Sequence, residues 1–84
     1  MNPTRFQLLR ANVALLLGQA RPLLYPESRL AADLQVIVRP TPTQSEFEHV
    51  IGRMERAGQV VRHRTEDEGV KTKLTEVGEA ELLQ

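Results

Sequence analysis

The sequence has no cysteine and no tryptophan, and its aromatic residues stop at Phe6, Tyr25 and Phe47. Without cysteine there is neither a disulfide nor a thiolate metal site. With so few rings the core has to be aliphatic, and a base-stacking platform of the single-strand-binding kind is not expected. The two histidines, His49 and His63, fall in separate predicted elements without a local ligand partner, so no metal and no cofactor is expected. The five glycines are scattered and form no phosphate-cradling loop. Serines and acids show no nucleophile–base spacing, so the chain is not expected to be an enzyme.

Long apolar runs are missing too. Val13-Ala14-Leu15-Leu16-Leu17 is far too short to span a bilayer, and the N-terminus lacks a signal-peptide pattern. The expectation is a soluble, cytoplasmic protein with no membrane partner. Nor is there an excess of one charge: eleven basic residues balance eleven acidic ones. A neutral total weakens nucleic-acid binding, because non-specific affinity comes mostly from neutralised phosphates, although local clustering can restore it. At 84 residues, 40% of them hydrophobic, the chain is expected to form one domain over residues 1–84.

Asn2-Pro3-Thr4 places an N-cap before a proline at the first helical position. Phe6, Leu9, Val13, Leu16, Leu17 and Ala20 then recur at helical spacing, and Arg21-Pro22 ends that helix. Leu23-Leu24-Tyr25 is an apolar link that can pair as a first strand. Pro26-Glu27-Ser28 opens a second helix carrying Leu30, Ala31, Leu34, Ile37 and Val38. Its β-branched end and the following Arg39-Pro40-Thr41-Pro42 predict an extended connection.

The clearest helix start is Thr43-Gln44-Ser45-Glu46, a capping box in which Thr43 and Glu46 satisfy each other's orphan amides. Phe47, Val50, Ile51, Met54 and Ala57 define its buried face, and Gly58 supplies a left-handed C-cap. Val60 to Thr65 and Val70 to Thr75 read as strands around Glu66-Asp67-Glu68-Gly69. A last short helix, Glu76 to Leu83, has Thr75 as its N-cap. The order is helix, helix, helix, hairpin, helix. It predicts an α+β fold: a three-helix winged helix-turn-helix with a C-terminal β-hairpin wing and a short final helix.

Met54-Glu55-Arg56-Ala57-Gly58-Gln59-Val60-Val61-Arg62, a charged turn and then Leu74-Thr75-Glu76-Val77-Gly78 resemble bacterial winged-helix regulators of the MarR and PadR kind. In those proteins a helix ending L-E-x-x-G-L-V leads into the wing, and L-T-x-x-G opens the next helix. The likeness covers roughly residues 27 to 82. It implies a DNA-binding transcriptional regulator. This chain departs from the pattern in its longer Val36 to Pro42 connection and in a wing turn without Asp-x-Arg. It is also too short for the extra dimerisation helices of those regulators, which leaves the first or the last helix to build a homodimer.

If the third helix enters a major groove, its N-terminal half reads bases. Ser45, His49, Gly52 and Arg56 point outward, Glu48 and Arg53 flank them, and Thr43 and Gln44 lie at the exposed start. Gln44 can bond adenine bidentately, Glu48 can accept from cytosine, and Arg53 can reach a phosphate or guanine. Against that, Glu46, Glu48 and Glu55 carry as much charge as His49, Arg53 and Arg56, as a solvated face would.

The wing depends on register. A four-residue loop pairs Thr65 with Val70 and gathers Arg62, Arg64, Lys71 and Lys73 on one face, ready for phosphates. A three- or five-residue loop puts the arginines and the lysines on opposite faces. The family resemblance, with Val60 and Leu74 both pointing to the core, favours the second arrangement. Residues alone leave both open. Glu66, Asp67 and Glu68 would repel phosphates, so a DNA-bound wing should turn its tip away. The rival expectation is a winged-helix protein-interaction module, an assembly or accessory subunit with a protein partner and no nucleic acid. It would present Leu23-Leu24-Tyr25 or Val36-Ile37-Val38.

Overall fold

A computed structural model describes residues 1–83 of the chain. The first helix, α1 (Pro3–Ala20), starts where the Asn2 side chain accepts from the backbone amides of Thr4 and Arg5, at 2.7 and 3.4 Å. Phe6, Leu9, Val13, Ala14 and Leu17 are its buried stripe. Leu16 and Ala20, expected inside, are only half-buried, whereas Ala14 lies fully inside.

A two-residue strand, β1 (Tyr25–Pro26), leads directly into α2 (Glu27–Ile37). The Tyr25 hydroxyl donates to Asp33, nearly two turns into that helix, fixing the link. Burial first, and the Asp33 carboxylate second, raise the Tyr25 pKa. α2 buries Leu30 and Leu34 and then stops. The chain is already extended at Val38, which turns its side chain inward and leaves Ile37 exposed. Ile37 belongs to the apolar set the second helix was expected to carry. It falls on the last helical turn, where the apolar face runs off the edge of the core.

α3 (Gln44–Arg56) has the full capping box, buries Phe47, Val50, Ile51 and Met54, and is followed by Gly58 at φ 75°. Ala57, expected on the buried face, is its exposed C-cap. Strands β2 (Val60–Thr65) and β3 (Gly69–Leu74) form the hairpin, and α4 (Glu76–Leu82) closes the described chain. The Thr75 hydroxyl caps α4 by accepting from the Gly78 amide at 3.0 Å, and it donates to the Gly58 carbonyl at 2.6 Å.

The three strands make one antiparallel sheet in the order β1-β3-β2. Four helices and this sheet form an α+β architecture with α1 at its centre, packed against α2, α3, α4 and β3. Its single core is aliphatic apart from Phe6 and Phe47, as the scarcity of rings requires. Among the described residues no helix is long and apolar enough to cross a membrane.

Candidate nucleic-acid interface

The capping box fixes how α3 sits. Thr43 Oγ1 accepts from the Glu46 amide at 3.0 Å, and Glu46 Oε1 accepts from the Thr43 amide at 3.1 Å. With four apolar residues inward, Thr43, Gln44, Ser45, Glu48, His49, Arg53 and Arg56 are all exposed, and Gly52 is half-buried among them.

The carboxylates of α3 do not share that face equally. Glu46 accepts a forked pair from Arg5 of α1, at 3.0 and 3.1 Å, and Arg5 Nη2 also donates to the Pro40 carbonyl at 2.7 Å. The Arg5 hydrogen bond, helped by the Thr43 amide, holds the Glu46 pKa below the usual carboxylate range. On the opposite flank Glu55 lies 3.6 Å from both Arg62 and Arg64 of β2. Glu48 has no basic partner among the described residues; it accepts from Gln44 Nε2 at 2.9 Å. The even balance of charge read from the sequence is therefore uneven in space.

The positive groups collect at the crossing of α1 and α3. The guanidinium of Arg53 lies over the Phe6 ring, 4.0 Å from its centroid, and that of Arg10 lies 5.3 Å from the same point. His49 meets the ring edge-on with centroids 6.2 Å apart. Among the described residues Arg10, Arg53 and Arg56 have neither an ion pair nor a side-chain hydrogen bond. Beside His49 an open groove of about 430 Å³ runs between Met1, Asn2, Arg5, Ser45 and Glu46. Arg10 was not among the residues expected at the interface. Its signal was its place one helical turn after Phe6, on the flank of the buried stripe.

The hairpin settles the register in favour of the three-residue loop. Val60 pairs with Leu74, Arg62 with Thr72, Arg64 with Val70 and Thr65 with Gly69. Gly69, at φ 74°, is the left-handed residue that a short bulged turn needs. The Thr65 hydroxyl accepts from the Glu68 amide at 3.1 Å and donates to the Gly69 carbonyl at 2.9 Å. This register points Val60, Thr72 and Leu74 into the core, and a one-residue slip would expel all three.

The four-residue alternative, with one basic face, does not form. Arg62 and Arg64 share the helix-facing side, and Lys71 and Lys73 share the other. Arg62 is also taken up within the fold: Nε and Nη2 donate to both oxygens of Glu27, at 2.5 and 2.7 Å. Glu27 further accepts from the Thr72 hydroxyl at 2.6 Å. Arg62, expected on phosphate, is thus an internal strut. Arg64 keeps 60% of its side chain exposed, Lys71 pairs with Glu68 at 2.7 Å, and Lys73 is exposed with no acidic partner among the described residues.

Among the described residues no group of three histidine, aspartate or glutamate side chains is placed to hold a metal ion. Comparison with known proteins returns no matching family model, no matching curated protein and no matching solved structure.

Proposed function

We propose that the chain is a winged-helix domain that binds duplex DNA, with α3 in the major groove, and serves as a transcriptional regulator of the homodimeric kind. The observation that carries this reading is the internal use of Glu46 and Glu55. It leaves the exposed side of α3 with His49, Arg53 and Arg56 against Glu48 alone. In this role Gln44 and Glu48 exchange their mutual hydrogen bond for base edges, while Arg53 and Arg56 take phosphate or guanine. Lys73 is the wing residue free to reach the backbone, with Arg64 joining if it leaves Glu55 and Lys71 if it leaves Glu68. The acidic tip turns away from the duplex. As a binding domain the protein needs no cofactor and no catalytic group.

The test is a gel shift against genomic fragments at low salt, followed by anisotropy across a salt series. Neutralising about five phosphates gives a slope of about −4.5 in log affinity against log salt. No retardation at micromolar protein would remove the reading.

A second reading, a winged-helix protein-interaction module, is favoured by the apolar side chains of Leu23 and Val36, which are 71% and 72% exposed. A stoichiometric partner recovered from the native host, and lost on Leu23→Glu or Val36→Glu, would support it over DNA binding.

A further inference from the structure

The first acidic residue of the chain is Glu27, so α1 carries cations with no anion of its own. Arg5 finds Glu46 on α3, and Arg21, just past the helix, finds Glu79 on α4. Among the described residues Arg10 has no carboxylate partner. Its guanidinium and that of Arg53, another without one, lie over the same Phe6 ring. The two guanidinium carbons are separated by no more than the sum of their distances to the Phe6 centroid, 5.3 and 4.0 Å. Like charges within that distance repel each other, and an anion placed between them relieves the repulsion.

We propose that Arg10 of α1 and Arg53 of α3 together form one phosphate-binding site at the seam of the two helices, filled by a backbone phosphate of duplex DNA. A guanidinium lying over an aromatic ring uses its π face there and keeps its in-plane N–H donors free. Those donors match phosphate oxygens in a forked geometry. Phe6 is buried and held by the core, so both guanidiniums lie against one anchored ring. Glu46, on this flank of α3, is already occupied by Arg5 and does not compete. His49, edge-on to the same ring and exposed, extends the site toward the groove at Ser45 and Asn2. A phosphate gripped here would lie along one flank of α3, where the backbone of a duplex runs when that helix occupies its major groove. The site rests on the DNA-binding reading for the source of its phosphate, but not for its geometry.

The experiment has two arms. In the first, anisotropy with a short labelled duplex is measured from about 50 to about 200 mM salt for wild type, Arg10→Gln, Arg53→Gln and the double variant. Arg29→Gln, on the exposed side of α2, serves as control. Because both forks share one phosphate, the double variant should flatten the salt slope by about 0.9 in total, the value of one released counterion. Two separate contacts would flatten it by about 1.8 and overturn the shared site. Duplex binding with an unchanged slope in all three variants would overturn the site and leave the DNA reading standing.

In the second arm, inorganic phosphate is titrated while the arginine Nε–Hε signals are followed by NMR. Arg10 and Arg53 should move and Arg29 should not, and Arg10→Gln should abolish the movement of Arg53. If these signals move but no duplex binds, the site stands with free phosphate as its ligand and the DNA reading falls. If neither ligand has an effect, both are overturned.

Discussion

Arg62 on β2 and Glu27 at the first position of α2 are joined by two parallel hydrogen bonds, with both side chains about nine-tenths buried. The pair ties the hairpin to the helix layer across 35 residues of sequence. Thr72 on the central strand completes it, and Glu55 on α3 sits at its edge. The Glu27 hydrogen bond is the main reason the Arg62 pKa is raised. Removing one member of such a pair leaves the other charge buried without a partner, which costs about 3–5 kcal/mol. Arg62→Ala should therefore show a large drop in its urea midpoint. Arg62→Lys should recover little, since an ammonium cannot reproduce the fork. Arg64→Ala, removing a mostly exposed side chain, should stay within about 1 kcal/mol of wild type. If Arg62→Ala proves as mild as Arg64→Ala, the strut is not formed.

Two glycines in helices should respond to alanine with opposite signs. Gly52, in the middle of α3, has only the end of the Arg56 side chain near the position a Cβ would take, at 3.5 Å. Alanine there should gain up to about 1 kcal/mol from helix propensity. Gly78, in the first turn of α4, lies directly against the Gln59 backbone. An added Cβ would overlap the Gln59 carbonyl oxygen and come within 2.9 Å of Leu74 Cδ1. That carbonyl accepts from the Thr75 amide and cannot move freely. Gly78→Ala should lose about 1–3 kcal/mol through overpacking. Thermal unfolding of the two variants side by side checks both signs.

Phe47 tests the orientation of α3 directly. Its ring is 2% exposed and sits in the core shared by α1, α2 and the sheet. Phe47→Ala should cost about 3–5 kcal/mol, a large part of the stability of so small a domain. A near-neutral result would mean that the helix turns another face inward, and the exposed row from Gln44 to Arg56 would have to be redrawn.

The helices and the hairpin were legible because their signals are local. A capping box, a glycine after the last turn and a 3.6-residue stripe are each read within a few residues, and α3 follows them from Thr43 to Gly58. The register was not legible, since a loop of three or four residues fits the same letters. It is decided by where Val60, Thr72 and Leu74 meet the helices. Nor could the sequence show which charges are already used. Arg5 and Glu46 are 41 residues apart, Arg62 and Glu27 are 35 apart, and only the fold brings them together. For the same reason the candidate interface moved: Arg62 left it for the interior, and Arg10 joined it from a helix first read for its apolar stripe and for dimerisation.

The Arg5–Glu46 pair predicts a definite acid response. The Arg5 hydrogen bond is the first cause of the lowered Glu46 pKa, and the Thr43 amide the second. Folding therefore favours the charged carboxylate. Its contribution is fully present above the ordinary value of 4.5 and is lost as pH falls below that, through the lowered folded value. Glu46→Gln lacks this term at every pH, so the Tm difference between wild type and variant should be widest near neutrality and shrink on acidification. Glu68 is also lowered, by Lys71, but it is 64% exposed and is present in both proteins, so it cancels in the difference. A Tm difference that is the same at neutral pH and at about pH 3 would show that the carboxylate of Glu46 gains nothing from Arg5 in the folded state.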